Sequence, residues 1–344
     1  MTARHFRRKP RRGHGGARLA TIAAMPTRSS DGPNSGLTAQ KPARKAASKT
    51  GVKAVGKAAP AVDTANASAD VPVTLPLIGV DFSSAPTKRK PVVVAQGVRS
   101  GSVVRLDGLQ AFDSLAAFGD YLKHTPAWLG GFDLPFGLPR ELVETLGWPT
   151  TWPALMDHYA ALSRPQIREQ FVGFCAARPV GGKFAHRTCD GPAGSSPSMK
   201  WVNPPVAWML HAGVPLLRAA NAWMPGLMPA PTEAPQRVAL EAYPGLLARE
   251  VLGNRSYKSD DRAKQTPERL IARKDLLEAL EQGRTRLGLR IRLSHAQRDD
   301  LVADASGDRL DALLCLLQAA WAGGRRDWGL PAAVDPLEGW IVSA

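Results

Sequence analysis

Five carboxylates in this chain lie where they could act together. Asp81 and Glu241 close short apolar runs, Leu77 to Val80 and Val238 to Leu240, and Asp133 closes the run within "AWLGGF". Runs of that length bounded by turn residues suit buried strands, and in open α/β sheets functional groups collect at strand ends. Asp308 and Asp311 open the segment "SGDRLDALLCLLQAAWAGG". Three positions apart on a helix, they share one edge. Five clustered acids cannot all remain ionised without a cation, because each charge disfavours the next. Carboxylate oxygens select Mg²⁺ or Mn²⁺. Two such ions, about 3.5–4 Å apart, would stabilise both the attacking and the leaving oxygen of a phosphodiester.

A plainer role competes with each acid. Carboxylates in the first turn of a helix complement its exposed N–H groups and its dipole, and Asp308, nearer the helix start, suits that role better than Asp311. Asp81, before Ser83, Ser84 and Pro86, and Asp133, before Leu134 and Pro135, could simply shape turns. Glu241 is less easily dismissed, because Glu is not a turn former.

The elements that must position these acids follow from periodicity. Leu310, Leu313, Leu314, Leu317 and Trp321 recur at helical spacing, and Ala312, Cys315, Leu316 and Ala319 fill the opposite side, so this helix is expected to be covered on most of its circumference. Gly323 and Gly324 stop it. Valine-rich segments at 91–98 and 102–106 follow the Asp81 strand, and three successive strands suggest an antiparallel meander. A helix within 111–124 and the strand before Asp133 begin a strand–helix–strand order. Residues of about 140–235 read as helical pieces broken by Pro and a polar loop, an insertion before the strand that ends at Glu241. An amphipathic helix in "TPERLIARKDLLEALEQG" then leads to the helix carrying Asp308 and Asp311.

Taken in order, "GVDFSSAP", "GFDLPFGLP", "EAYPG" and "GDRLDALLCLLQAAWA" resemble the bacterial and archaeal domain-of-unknown-function family 429 over about residues 75–344. That resemblance implies a ribonuclease H-like fold, an α/β mixed sheet flanked by helices, and nuclease activity. The D-x-x-D at Asp308 and Asp311 also resembles the helix acids of Holliday-junction resolvases in the same superfamily. In that fold the first strand carries an Asp, here Asp81, and the last helix brings one or two acids beside it. Asp133 and Glu241 then compete for the remaining ligand position. A metal-dependent nuclease is therefore the first expectation, with Mg²⁺ or Mn²⁺ as cofactor and DNA or RNA as partner. An actin-like or sugar-kinase-type phosphotransferase is the second, since "DFSS" partly imitates a phosphate loop, but only one copy of the fold and no second Gly-rich loop are found. A non-catalytic nucleic-acid binder is the third, and clustered carboxylates argue against it because they repel phosphate.

Charge is distributed unevenly. The chain carries a formal net charge of +15, and 14 of its 45 basic residues but only three of its 30 acidic ones fall within residues 1–70. That stretch has too few large apolar residues to offset the entropy of ordering, so it is expected to be a disordered basic tail able to hold polyanions without sequence specificity. Its Arg-rich start also imitates a transit peptide, and Met25 offers an alternative start site. Residues 71–344 are expected to form one domain. No run approaches a membrane span and no signal-peptide core follows the N-terminal charges, so a soluble, cytoplasmic protein is expected. Cys175, Cys189 and Cys315 show no C-x-x-C, and Cys175, His186 and Cys189 match no zinc spacing. Lys183, His186, Arg187, Lys200 and Trp201, in the polar loop of the insertion, are candidate substrate-binding residues, since basic groups hold phosphate and an aromatic can stack a base.

Overall fold

The computed structural model describes residues 75–344, so the basic tail expected at 1–70 lies outside the described residues. The chain begins with the expected meander. Strands β1 (Leu77–Asp81), β2 (Val92–Ser100) and β3 (Val103–Phe112) pair antiparallel in sequence. Gly101, at φ +59, makes the tight turn between β2 and β3, a conformation glycine adopts without steric cost. Because β3 continues to Phe112, helix α1 (Leu115–His124) starts later than its apolar spacing suggests, with Ser114 capping Ala117 N at 3.3 Å. Strand β4 (Trp128–Phe132) then returns parallel to β1.

The insertion contributes helices α2 (Arg140–Thr145), α3 (Trp152–Ala161), α4 (Arg164–Ala176), the single turn α5 (Asp190–Ala193) and α6 (Val206–Ala219). Strand β5 (Arg237–Glu241) pairs parallel with β4. Beyond it come α7 (Pro244–Leu252), a 3₁₀ turn (Arg262–Lys264) and α8 (Pro267–Glu281). Strand β6 (Arg290–Arg292) and α9 (His295–Ala303), which sequence periodicity did not suggest, precede α10 (Asp308–Gly323). With three residues and only Ile291 buried, β6 is too short to display an alternating pattern. A capping box marks the start of α9: Ser294 Oγ accepts from Gln297 N at 3.2 Å, and Gln297 Oε1 accepts from Ser294 N at 2.8 Å. His295 is an exposed first-turn residue of that helix.

The six strands form one mixed sheet in the order β5-β4-β1-β2-β3-β6. Alternate residues of each strand face opposite layers. Ile78, Val80, Trp128 and Phe132 face a core built with α1 and the insertion helices, around Phe118, Leu122, Tyr159 and Phe171. Leu77, Leu129, Val238 and Leu240 face α7, α8 and α10. No helix among the described residues is long and apolar enough to cross a membrane.

Two glycines set how closely α10 approaches the sheet. A Cβ on Gly79 would collide with Ala312 O and Leu316 N, and one on Gly131 with Cys315 O, so the α10 backbone lies directly on β1 and β4. Thirteen of the 16 residues of α10 are buried, which accounts for its lack of a soluble face. Its one interior polar side chain is satisfied: Gln318 Nε2 donates to Val342 O and Ser343 Oγ, both at 3.1 Å, and Oε1 accepts from Tyr243 N at 3.0 Å.

Candidate active site

Strand parity decides which acids meet. Asp81 is in phase with Leu77 and Gly79, hence on the face that α10 covers. Asp133 stands one residue beyond β4, but its N–H still donates to Val80 O at 2.9 Å, which continues the parallel ladder. It is in phase with Gly131 and therefore lies beside Asp81 on the same face. Gly79 and Gly131 both meet the middle of α10, while its C-terminal Gly323 lies against Leu129 near the start of β4. The helix thus runs against the strands and brings its first turn, with Asp308 and Asp311, over their carboxyl ends.

The four aspartates sense one another. Burial, followed by the charges of Asp311 and Asp308, holds the Asp81 carboxyl well above the ordinary carboxylate range. Burial and then Asp311 push Asp133 up to about 7. Asp308 is also raised by burial, against the opposing pull of Lys90. Two lysines partly balance the cluster. Lys90 Nζ lies 2.5 Å from Asp308 Oδ1 and 3.0 Å from Asp260 Oδ1. Lys258 Nζ donates to Asp311 Oδ2, and Tyr257 Oη donates to Asp311 Oδ1. Burial disfavours the Lys258 ammonium, but its neighbours together, Asp311 first and then Tyr257 and Asp81, outweigh burial and hold the amine well above its ordinary range. Neither the Asp81 nor the Asp133 carboxylate accepts a hydrogen bond among the described residues.

The helix-start role belongs to another residue. Asp304 Oδ2 accepts from Arg309 N at 2.9 Å and Oδ1 from Ser306 N at 3.1 Å, whereas Gly307, the residue preceding α10, offers no side chain. Asp308 therefore spends its oxygen on Lys90 and not on the helix N–H groups. Gly307, at φ +79, also makes room for the Lys258 stem, since a Cβ there would come within 2.6 Å of Lys258 Cβ.

Glu241 ends β5 as expected but points elsewhere. Its register partner is Phe132, one residue out of phase with Gly131 and Asp133, so its side chain projects from the opposite face. There it accepts from Arg187 Nη2 at 2.6 Å, Arg187 Nη1 at 2.8 Å and Phe136 N at 2.9 Å. Its charge still contributes to the upward shift of Asp133, behind burial and Asp311. Arg187 is correspondingly withdrawn from substrate binding: it is 3% exposed and also bonds Asp190 Oδ1 at 3.0 Å. Trp201, half-buried, packs edge-on against Phe184 and near Phe171. Lys183 and His186 are exposed and Lys200 is half-buried; none of the three has a hydrogen bond or ion pair to the four aspartates among the described residues. Cys175, Cys189 and Cys315 are free and buried.

Lys90 and Asp304 carry no signal in their local sequence, whereas Tyr257 and Lys258, in "NRSYKSDDR", are candidates for flanking the site for which sequence gives no geometry. The phase of the aspartates, which left Asp133 and Glu241 undecided above, does leave a trace in the sequence. "GVD" and "GFD" place a glycine two residues before each acid, on the strand face where the helix makes closest approach, and Glu241 has Ala239 at that position. Among the described residues no three carboxylate, thiol or imidazole groups are drawn together closely enough to form a ready metal cage. No family model, curated protein or solved structure matches the chain.

Proposed function

We propose that the chain is a metal-dependent nuclease with a ribonuclease H-like core, hydrolysing phosphodiester bonds of DNA or RNA. One observation carries the reading: two strand-end aspartates, Asp81 buried and Asp133 half-buried, without hydrogen-bond donors among the described residues, lie beside two aspartates from the start of a buried helix. Such a set is costly in isolation, since burial and mutual repulsion both oppose ionisation. The antiparallel β1–β2–β3 meander followed by parallel β4 and β5 agrees with the proposed core.

The donor chemistry fits a hard divalent ion. All four groups present oxygen, without the thiolate or imidazole that would favour zinc. Asp81 and Asp133 would be the primary ligands, with Asp311 and Asp308 completing the set from α10. Mg²⁺ or Mn²⁺ held there would polarise the phosphodiester and favour ionisation of the attacking water. The protein's own contribution is position. β1 and β4 fix two carboxylates side by side, and the backbone contact of α10 with Gly79 and Gly131 fixes the others above them. No covalent nucleophile is needed.

A cleavage screen over single-stranded, duplex, branched and RNA–DNA hybrid substrates, with Mg²⁺, Mn²⁺ or EDTA, tests the reading. Metal-dependent cleavage that disappears in Asp81→Asn and in Asp133→Asn, with the fold intact, is the expected result. Absence of cleavage across the set, or full activity in Asp133→Asn, overturns it. ATP turnover in parallel would point to the phosphotransferase.

A further inference from the structure

Two lysines reach the acid cluster from the solvent side. Lys90 comes from the connection between β1 and β2, Lys258 from the segment after α7, and both side chains remain 42% exposed while Asp308 and Asp311 are 6% and 0% exposed. Their placement is built into the fold. Buried Arg273 donates to Tyr257 O at 2.8 Å, Arg269 to Lys258 O at 2.5 Å, and Ser259 N to Ala305 O at 3.0 Å, so the backbone around Lys258 is fixed from both sides. Its stem lies over Gly307. Lys90 also bonds Asp260 at 3.0 Å, tying the two segments together over the site.

Each ammonium occupies a carboxylate oxygen that a hard cation would need, because a divalent ion binds the same deprotonated lone pairs. When all four are ionised the carboxylates outnumber the two ammonium groups, and that excess of negative charge repels a phosphate backbone. Once the carboxylates are engaged elsewhere, both lysines stand at the mouth of the site with charge and three donors each, suited to phosphate oxygens. We propose that Lys90 and Lys258 are the phosphate-binding residues of this site, held in reserve on Asp308 and Asp311 until a divalent ion takes those carboxylates, so that metal and nucleic acid bind with positive coupling. This rests on the nuclease reading and adds an order of events to it: metal before nucleic acid.

Calorimetric titration of the full chain with Mn²⁺ alone, and fluorescence anisotropy of a labelled oligonucleotide in Ca²⁺ or EDTA, test it without measuring turnover. Lys258→Met keeps the stem and removes the ammonium. It should bind Mn²⁺ about tenfold more tightly, the worth of one charge-assisted hydrogen bond, and the gain in oligonucleotide affinity that Ca²⁺ confers on the native chain should shrink. Lys90→Met, on an exposed segment, gives the same comparison through Asp308 should Lys258→Met fail to fold. Unchanged or weaker Mn²⁺ binding in the folded variants, or an undiminished Ca²⁺ effect, overturns the proposal and reduces the lysines to structural ion pairs. A native chain that binds Mn²⁺ and cleaves, with variants unaltered in both measurements, refutes the lysine exchange alone. A native chain that neither binds Mn²⁺ nor cleaves refutes the nuclease reading with it.

Discussion

Two buried charge clusters lie at the strand ends, on opposite faces of one sheet, and they are built differently. On one face Glu241, Asp190, Glu338 and Arg187 form a closed network. Glu241 accepts from both Arg187 terminal nitrogens and from Phe136 N. Asp190 accepts from Arg187 and from Ser195 Oγ at 2.9 Å, and Glu338 from Thr188 N and Oγ1, both at 2.7 Å, and Arg140 N at 2.9 Å. On the other face Asp81 and Asp133 have no such donors among the described residues, Asp308 relies on Lys90, and Asp311 is held by Lys258 from the solvent side and by the buried Tyr257 hydroxyl. A fully satisfied network joins the insertion to the sheet and C-terminal segment and leaves no lone pair to offer. An under-satisfied one keeps capacity for a ligand. Burial alone does not separate the two clusters; the count of donors does.

Arg187 holds the closed network together. Arg187→Met strands the Glu241 and Asp190 carboxylates and should cost about 3–5 kcal/mol of stability, with or without divalent ions, as read from chemical denaturation. A loss below about 1 kcal/mol would show that the network is not closed in solution.

Asp133 sharpens the contrast with the opposite sign. Its carboxyl is raised from 3.8 to about 7, first by burial and then by Asp311, so the folded state holds the proton more tightly than the unfolded chain. The resulting stabilisation is present in full below pH 4 and is lost as pH rises towards 7. Melting temperature of the metal-free chain should carry this falling component, Asp133→Asn should flatten it, and Mn²⁺ should restore stability at pH 7. A pH profile identical in native chain and variant would remove Asp133 from the cluster.

Two substitutions separate the two roles at the start of α10. Asp304→Ala removes the acceptor for Arg309 N and should cost about 1 kcal/mol without changing Mn²⁺ affinity. Asp308→Asn leaves that cap in place and should weaken Mn²⁺ binding instead. Exchanged outcomes would return Asp308 to a capping role.

Much of this was legible in the linear chain. The strands before Asp81, Asp133 and Glu241, the meander, the helical insertion and the buried α10 all follow from local periodicity, because residue spacing within an element dictates which face is apolar. The choice between Asp133 and Glu241 stayed open in the sequence, and the Gly-x-Asp spacing of 79–81 and 131–133 gains its meaning only from the approach of α10 to Gly79 and Gly131. Partnership is another matter. Lys90 meets Asp308 across 218 positions, Lys258 meets Asp311 across 53, and Arg187 meets Glu241 across 54. Such pairs form only when the sheet order and helix direction bring distant ends together, and no local pattern encodes them. Local spacing therefore fixes which residue types stand at the strand ends and which helix is buried. Tertiary structure alone decided that Arg187 closes one acidic cluster while two solvent-side lysines leave the other open, since Coulomb energy depends on distance in space and not along the chain.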